Sequence, residues 1–365
     1  MITRREFFAD AAGAMAGMVF VGCGLRRAAP AQAQASRRAV VVNGRRVTVV
    51  DVHAHCAVPE AMALMGLKVA PQTLLPETLL MAQAQDRLRA MDAQGIDVEA
   101  LSINPYWYQA DRDLARQLIT IQNETLAEAC AAHPERFVAF ASVALQHPDL
   151  AAAQLEDGVK KYGLRGAAIG GSVNGEELSD PKFHPFWATA EQLGVLVFLH
   201  PQGTAELNQT SRLKGNGLLE NVIGNPLETT IALSHLIFEG TLDRFPGLKI
   251  CAAHGGGFLP SYAARSDQGC LTFPDRCPGP QDGPLKKKPT AYLRQLYYDT
   301  LIFTPEALRH LVAEVGASQL VVGTDYPYPW TTTAVEHILG TPGLSDDERV
   351  AMLGGTAAKL LGINA

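Results

Sequence analysis

The fold of this chain is decided by the stretch Val47-Thr48-Val49-Val50-Asp51-Val52-His53-Ala54-His55. This stretch predicts a short apolar strand over residues 47–52, followed directly by two histidines that are separated by one alanine. Because successive side chains of a strand alternate between its faces, His53 and His55 project from the same face. One strand can therefore offer two imidazoles to one metal ion. Taken alone, the pattern fits equally well a buried strand that happens to end in histidines.

The rest of the chain alternates short apolar segments with longer helical patterns. The predicted strands cover residues 47–52, 98–103, 137–143, 166–169, 195–200, 249–254, 295–300 and 319–325. The predicted helices cover residues 79–94, 113–133, 149–162, 183–193, 226–243, 305–315 and 346–361. Eight strands alternating with helices are typical of the (β/α)₈ TIM barrel, an α/β fold whose active site lies at the carboxyl ends of its strands. The sequence therefore predicts one catalytic (β/α)₈ domain over residues 36–365.

The composition is that of a globular protein. The chain has 365 residues, of which 47% are hydrophobic and 19% charged, and a barrel of this length buries a large core without help from disulfides. The net charge is −6, and the main basic run is Lys286-Lys287-Lys288, in a loop rich in Pro and Gly. This balance argues against nucleic acid as the main partner.

Residues 1–35 show the features of an export signal in the expected order. Arg4-Arg5 precede a mild apolar run over residues 11–21, and small-residue cleavage signals follow at Ala33 and Ala35. The segment resembles a twin-arginine signal peptide, which predicts cleavage after one of these alanines and a periplasmic product. The apolar run is too short and too rich in Ala and Gly to span a membrane. The alternative is an amphipathic N-terminal helix of a cytoplasmic protein.

The cysteine count does not predict a disulfide framework. Phe20-Val21-Gly22-Cys23 is similar to a lipoprotein cleavage box, so a lipid anchor at Cys23 is an alternative outcome of export. Removal of the signal leaves five cysteines, an odd number. Cys270 and Cys277 lie in an irregular loop and could pair after export. Cys56 points away from the histidine face of the strand, which indicates packing.

Side chains able to bind a metal or transfer a proton stand at the ends of four predicted strands. The first strand leads into His53 and His55, the fifth ends in His200, the sixth in His254, and the eighth in Asp325. A barrel brings its strand ends to one mouth. Three imidazoles and one carboxylate suit Zn²⁺ or a similar divalent ion such as Mn²⁺. The sequence therefore predicts a metal site at the mouth.

His254 stands next to this site and is followed by Gly255-Gly256-Gly257. A metal held by three neutral imidazoles keeps most of its charge, so a water bound to it loses a proton near neutral pH. His254 can take or give that proton, and Asp325 can bind both the metal and the same water. We expect the glycines to allow close approach of a substrate or to form a flexible turn.

The chain from Val47 onward resembles the amidohydrolase superfamily, and within it the branch of the aminocarboxymuconate-semialdehyde decarboxylases and related metal-dependent decarboxylases. The residues that carry the resemblance are Asp51-Val52-His53-Ala54-His55, Arg87-Leu88-Arg89-Ala90-Met91-Asp92, Gly224-Asn225-Pro226-Leu227-Glu228-Thr229-Thr230, His254-Gly255-Gly256-Gly257, Tyr298-Asp299-Thr300 and Gly323-Thr324-Asp325-Tyr326-Pro327. Together these motifs are specific.

The resemblance implies a ligand set and an acid/base. In that branch the positions matching His53, His55, His200 and Asp325 hold one zinc ion, and the position matching His254 is the catalytic acid/base. The fourth predicted strand ends without a lysine or glutamate. A site with two metals bridged by a modified lysine, as in other branches, is therefore not expected.

The resemblance also implies two substrate contacts. Arg87 and Arg265 match positions that grip the substrate carboxylate, the second reaching across from a neighbouring subunit, so a homodimer is expected. Arginine binds carboxylates bidentately, which suits a small carboxylic acid as substrate. The alternative for Arg87 is an ion pair on the surface of an amphipathic helix, and for Arg265 an ordinary helical position.

Two reactions can use the same residues. The first is decarboxylation of a small aromatic or unsaturated carboxylic acid, in which a proton reaches the carbon that bears the carboxylate. The second is hydrolysis of an amide, a lactone or a carbon–carbon bond by metal hydroxide. A zinc-binding protein without chemistry is a third interpretation, but it would need neither His254 nor an open metal position.

The substrate itself is not set by these motifs. Gln202-Gly203 follows His200-Pro201 where the named decarboxylase carries a tryptophan. Asn104-Pro105-Tyr106-Trp107-Tyr108 follows the second strand, and we expect this aromatic cluster to form a pocket wall or to cover the barrel rim. Three long loops over residues 56–77, 201–225 and 266–290 leave the same face and are expected to shape substrate access.

Overall fold

The computed structural model describes residues 37–67, 84–204, 212–277 and 285–364. The predicted signal peptide, with its cleavage sites and Cys23, lies outside these residues, so export and lipid attachment stay predictions. Parts of the three long loops lie outside them as well. Within the described ranges, the helices are all too short or too polar to cross a membrane.

Eight parallel strands form the centre of the fold. The strands of the described residues are, in chain order, β1 (Val40–Val42), β2 (Arg45–Val47), β3 (Val50–His55), β4 (Val98–Ser102), β5 (Phe137–Ala139), β6 (Gly166–Ile169), β7 (Ser172–Val173), β8 (Glu176–Glu177), β9 (Leu196–Leu199), β10 (Lys249–Ala252), β11 (Tyr297–Asp299) and β12 (Leu320–Val321). The pairs β1–β2 and β7–β8 are small antiparallel hairpins. The other eight strands correspond to the eight predicted from the sequence.

These eight strands close into a barrel. Hydrogen bonding joins β3, β4 and β5 in one sheet, and β6, β9, β10, β11 and β12 in another. Parallel bridges between Ala141 and Ala167 and between Asp51 and Val322 connect the two sheets at both seams. The strands therefore follow chain order around a closed circle, which confirms the predicted (β/α)₈ barrel.

The first barrel strand lies three residues later than predicted. Val47 belongs to the preceding hairpin, where it pairs with Val40. The two hairpin strands are joined by Asn43 and Gly44, whose φ angles are 48° and 73°. Asn-Gly is the residue pair that a two-residue turn with positive φ angles prefers. The start of the apolar run therefore belongs to the hairpin, and the barrel strand begins at Val50.

Helices surround the barrel. In chain order they are α1 (Pro59–Leu64), α2 (Ala84–Gln94), α3 (Arg112–Ala132), α4 (Pro148–Lys160), α5 (His184–Leu193), α6 (Asn225–Phe238), α7 (Thr241–Arg244), α8 (Leu259–Thr272), α9 (Pro289–Tyr292), α10 (Pro305–Val315), α11 (Ala334–Gly340), α12 (Asp346–Val350) and α13 (Thr356–Leu361). The predicted helix over residues 226–243 is divided at Gly240, whose φ of 76° cannot continue a right-handed helix. The predicted helix over residues 346–361 contains a π-helical segment at Ala351–Gly355.

Two apolar cores hold the layers together. One lies inside the barrel and includes Val52, Phe140 and Phe198. The other lies between the barrel and the helices and includes Trp107 and Trp187. Burying a large apolar side chain contributes about 1.5–3 kcal/mol relative to its exposure. Because the ring of Phe198 fills the barrel beneath its mouth, the floor of any site there is apolar.

The predicted pairing of Cys270 with Cys277 is confirmed, since the two form a disulfide. The prediction that both lie in an irregular loop is wrong for Cys270, which belongs to the last turn of α8. Cys56 is buried, and burial raises the pKa of its thiol to about 12. A thiol that stays protonated is a poor metal ligand, which fits a packing role for Cys56.

Gly166 is expected to be essential for the pairing of β6 with β9. A Cβ at Gly166 would lie 1.9 Å from the carbonyl oxygen of Leu196. We expect Gly166→Ala to lower the free energy of unfolding by about 3 kcal/mol or more, measured by urea denaturation, because the two strands must separate. Gly163→Ala is the matched control, since Gly163 has a φ of 69° but a Cβ there would meet no other atom within 4 Å. It should lose only about 1–2 kcal/mol, and equal losses would contradict this account.

Candidate metal centre

Four side chains converge at the mouth of the barrel. His53 and His55 come from β3, His200 follows β9, and Asp325 follows β12. Their ligand atoms all lie within 4.8 Å of one another. Asp325 Oδ1 lies 2.8 Å from His55 Nε2 and 3.1 Å from His53 Nε2. The structure thus brings together the four residues that the sequence predicts as metal ligands.

The ring nitrogens of this cluster face one another. The Nε2 atoms of His53 and His55 are 3.0 Å apart. Both ring nitrogens of His200 are buried and make no hydrogen bond to any described residue. Buried polar atoms nearly always have a partner in folded proteins, so this arrangement calls for a bound species. Three imidazoles and one carboxylate at these separations fit a divalent cation.

The charges in the cluster also suit metal binding. Burial alone would lower the pKa of His53, but the carboxylates of Asp325 and Asp299 raise it to about 10. Burial lowers the pKa of His55 to about 4, and burial with the neighbouring imidazoles lowers the pKa of His200 well below its ordinary value. Burial opposes ionisation of Asp325, yet the imidazole of His53 helps to hold the pKa of that carboxyl well below its usual range. An ionised carboxylate therefore lies beside two neutral imidazoles, as ligation requires, and His53 must release its proton when an ion binds.

Asp299, at the end of β11, orients His53. Its Oδ2 lies 2.6 Å from His53 Nδ1, and its two oxygens also accept the backbone N–H groups of His254 and Gly255, each at 2.9 Å. A carboxylate behind an imidazole fixes the ring and directs its other nitrogen to the metal. This aspartate belongs to one of the motifs quoted above, but sequence reasoning assigned it no role. Its position at the end of the seventh strand is the signal that could have revealed it.

Asp51 joins the strands that carry the ligands. Its carboxylate accepts the backbone N–H of His53 at 3.0 Å, and the Oγ1–H and backbone N–H of Thr324 at 2.5 Å and 3.2 Å. Burial, with the nearby charge of Glu99, raises the pKa of Asp51 to about 8. Because Thr324 precedes Asp325, one buried carboxyl group positions ligands from both the first and the last barrel strand.

His254 is the partly exposed member of the site. Its side chain is 17% exposed, and its Nε2 lies 3.8 Å from Asp325 Oδ2. His254 and Asp325 both have left-handed backbones, with φ angles of 56° and 60°. Such angles are rare outside glycine and cluster at functional sites. The position of His254 beside a proposed ligand and open to solvent suits the predicted acid/base role, which stays a prediction.

The three glycines after His254 serve packing rather than access. A Cβ at Gly256 would lie 2.6 Å from the ring of Tyr298, and one at Gly257 would lie 2.1 Å from the carbonyl oxygen of Pro226. All of Gly255-Gly256-Gly257 have positive φ angles. The expectation that these glycines leave room for a substrate is therefore wrong, because protein atoms already fill the space.

Arg87 is buried behind the strand of the proposed ligands. It is 1% exposed, its Nη1 lies 2.7 Å from Glu99 Oε2, and its Nη2 donates to the carbonyl oxygen of His55. Its guanidinium also lies 4.8 Å from the centre of the Tyr326 ring. The alternative of a surface ion pair is wrong, since both partners are buried. Substrate contact by Arg87 stays a prediction.

The remaining residues predicted near the substrate lie in different environments. Arg265 is exposed on α8. Trp107 is fully buried and donates to the carbonyl oxygen of Val143 at 3.0 Å, so it packs in the core and cannot line a pocket. Tyr328, which is partly exposed, has an aromatic ring beside the site, with its centre 5.6 Å from that of His55. Sequence reasoning missed Tyr328.

Known proteins share this sequence and architecture. The amidohydrolase family model matches residues 50–363. The 2-amino-3-carboxymuconate-6-semialdehyde decarboxylase of Dictyostelium discoideum is 30% identical over 281 residues, 76% of this chain and 76% of that protein. The gamma-resorcylate decarboxylase of Rhizobium radiobacter is 33% identical over 256 residues, 66% of this chain and 76% of that protein. A solved dihydroxybenzoic acid decarboxylase of Polaromonas sp. JS666, with bound manganese and the inhibitor 2-nitroresorcinol, has a TM-score of 0.72 at 27% identity, covering 87% of this chain and 98% of that chain.

The buried ion pair between Arg87 and Glu99 gives a stability prediction. We expect Arg87→Met to lower the free energy of unfolding by about 3–5 kcal/mol, because the Glu99 carboxylate then stays buried without its charge partner. The double variant Arg87→Met/Glu99→Gln should lose much less, since neither charge remains. Urea denaturation of the wild type, both single variants and the double variant gives the coupling energy. A double variant as unstable as Arg87→Met alone would argue against the pair.

Proposed function

This chain belongs to the amidohydrolase family, and from that premise we propose that it is a metal-dependent decarboxylase of a small aromatic or unsaturated carboxylic acid. The observation that carries the proposal is the cluster of His53, His55, His200 and Asp325 with His254 beside it. The two relatives described above are decarboxylases by name, one of a carboxymuconate semialdehyde and one of gamma-resorcylate. These compounds are unsaturated and aromatic carboxylates, which supports the same class of substrate here.

We propose Zn²⁺ as the resident ion, with Mn²⁺ as the alternative. Three imidazoles and one carboxylate are a donor set that zinc favours. Manganese is the ion in the Polaromonas structure. The described residues contain a single cluster of this kind, which supports one ion per chain. When bound, the ion supplies positive charge that attracts the anionic oxygens of the substrate.

Decarboxylation requires a proton at the carbon that carries the carboxylate, and we assign its delivery to His254. In the proposed reaction the N–H bond of the His254 imidazolium breaks, and a π electron pair of the substrate forms the new C–H bond. The carbon–carbon bond to the carboxylate then breaks, its electron pair restores the π system, and CO₂ leaves. A proton from solvent returns His254 to its starting state, which its partial exposure permits.

An aromatic residue at the edge of the cluster supports an aromatic substrate. Tyr328 is partly exposed, and its ring centre lies 5.6 Å from that of His55. Aromatic rings attract one another in offset and edge-to-face arrangements. A planar acid at the barrel mouth can therefore pack against this ring while its carboxylate faces the proposed ion.

The test combines metal analysis with CO₂ release on the same purified protein. We expect about one divalent ion per chain by elemental analysis, and CO₂ release from a panel of dihydroxybenzoates and muconate-type acids. Chelation should abolish the release, and addition of Zn²⁺ or Mn²⁺ should restore it. His254→Gln should lower kcat by about 100-fold or more while the metal content stays the same, because only proton transfer is lost.

Two results would count against the proposal. A purified protein with no divalent ion above background would remove the metal site. Hydrolysis of neutral amides or lactones without CO₂ release from any acid would identify a hydrolase of the same fold instead.

We further propose that the active form is a homodimer in which Arg265 of one copy binds the substrate carboxylate held by the other. Arg265 is exposed on α8, so a second copy of the chain can reach its guanidinium. Tyr262, one helical turn earlier, is 69% exposed. An arginine beside an exposed aromatic residue is a combination that protein interfaces favour.

Mixed dimers distinguish the two copies. Arg265→Ala and His254→Gln should each be inactive as homodimers. A dimer that contains one chain of each kind should recover about half of the wild-type activity, since one site then has His254 from its own chain and Arg265 from the other. The mixed dimer can be purified with two affinity tags and its mass checked by light scattering. A monomeric protein, or a mixed dimer without activity, would refute the arrangement.

A further inference from the structure

We propose that Glu228 is a positioning residue that fixes His200 by clamping the chain that follows it. The inference rests on the proposed function, because it concerns one of the proposed metal ligands. Glu228 belongs to α6, a helix that carries none of the four proposed ligands. Its role is therefore to act on the site through the backbone of another element.

The carboxylate of Glu228 receives three hydrogen bonds. Its Oε2 accepts the backbone N–H groups of Gln202 and Gly203, the second at 2.6 Å. Its Oε1 accepts the hydroxyl of Ser172 at 3.0 Å. Gln202 and Gly203 are the second and third residues after His200, and Ser172 is the third residue after β6 ends. One side chain therefore holds the exits of two adjacent barrel strands.

The burial of Glu228 shows that these bonds matter. The residue is 5% exposed, and burial raises the pKa of its carboxyl to about 7 although the three donors lower it. Placing a carboxylate out of water is unfavourable unless hydrogen-bond donors replace the water. Glu228 thus lies where it does only because the loop backbones supply those donors.

The sequence also makes room for this carboxylate. A Cβ at Gly171 would lie 2.8 Å from Glu228 Cγ. Any larger residue at Gly171 would push the glutamate away from the loops. Glycine is therefore needed at position 171 because a side chain there would collide with Glu228. It is not needed for an unusual backbone turn.

His200 differs from the other two imidazoles in lacking a side-chain support. Asp299 lies 2.6 Å from Nδ1 of His53, and Ser102 Oγ lies 3.1 Å from Nδ1 of His55. Neither ring nitrogen of His200 has a hydrogen-bond partner among the residues that the structure describes. The orientation of this ligand is therefore set by its backbone and by packing against the neighbouring imidazole rings, without a hydrogen bond to its own ring.

The backbone of His200 is held on both sides. Its own N–H donates to the carbonyl oxygen of Ile169 at 2.9 Å, which continues the sheet. After the strand ends, the next backbone N–H groups to be held are those of residues 202 and 203, and Glu228 holds both. Glu228 thus orients His200 by hydrogen bonds to the main chain, whereas Asp299 orients His53 by a hydrogen bond to its ring.

The test measures Zn²⁺ affinity of the metal-free full-length protein by competition with a chromophoric chelator. Glu228→Ala should bind Zn²⁺ about 10- to 100-fold more weakly than wild type, the usual effect of losing a residue that orients a ligand. Glu228→Gln should stay within about threefold of wild type, because its amide oxygen can accept both N–H groups while its NH₂ donates to Ser172. Gly171→Ala should weaken binding in the same direction without altering Glu228.

Asp243 provides the matched control. It is 7% exposed on α7, and its carboxylate accepts the backbone N–H of Lys286 at 3.0 Å and the hydroxyl of Tyr292 at 2.7 Å. Asp243→Ala also removes a buried carboxylate that accepts hydrogen bonds. Unlike the bonds of Glu228, those of Asp243 do not hold the chain at the end of a barrel strand. Asp243→Ala should lower the free energy of unfolding but leave Zn²⁺ affinity at the wild-type value.

The outcomes distinguish the proposed positioning role of Glu228, here called the clamp, from the proposed function of the protein. A wild-type protein that binds neither Zn²⁺ nor Mn²⁺ overturns both. A wild-type protein that binds Zn²⁺, with Glu228→Ala binding it equally well, overturns the clamp alone. The clamp is also overturned if Asp243→Ala weakens Zn²⁺ binding as much as Glu228→Ala does, because the effect then follows from general destabilisation.

Discussion

The hydrogen bonds between β3 and the chain that follows β12 close the barrel, and the candidate site depends on that closure. Among the residues that make them, Asp51 and Thr324 are 273 positions apart in the chain, and their side chains meet at 2.5 Å. Backbone hydrogen bonds cross the same seam, from Val52 to Val322 at 2.9 Å, from Asp325 to His53 at 2.8 Å and from His55 to Tyr326 at 2.6 Å. The carboxyl group of Asp51 adds side-chain bonds to this ladder. Because His53 lies on one side of the seam and Asp325 on the other, closure of the barrel also assembles the ligand cluster.

Buried carboxylates organise the rest of the site in the same manner. Asp299 accepts two backbone N–H groups beside the ring of His53, and Glu228 accepts two from the loop after His200. Removing an ion from water is unfavourable by several kcal/mol unless partners surround it. Each carboxylate therefore stays in place only with the strand exits that supply its donors. Because of this mutual dependence, the carboxylates hold the strand exits at the barrel mouth together.

The sequence could predict the barrel and the four convergent ligands because both signals are local. Apolar periodicity marks each strand, and a histidine or aspartate at a strand end needs no knowledge of its neighbours. The partners of the positioning residues could not be predicted, since they depend on contacts between distant elements, although the strand-end position of Asp299 marked it as a candidate. Asp299 lies 246 positions from His53, and nothing near Glu228 in the chain indicates that it meets the loop after His200. The displacement of the first strand has a local cause that could have been read, the Asn43-Gly44 turn.

The backbone conformation at His254 and Asp325 shows how the fold brings these two side chains together. A left-handed conformation costs about 1–2 kcal/mol for a residue other than glycine, yet both residues adopt it. The N–H of His254 donates to Asp299, and the N–H of Asp325 donates to the carbonyl oxygen of His53 at 2.8 Å. The same groups that orient the first ligand thus stabilise the strained turns. Since the turns bring the imidazole of His254 to the carboxylate of Asp325, the barrel backbone sets the spacing of the two side chains that the proposed proton transfer needs.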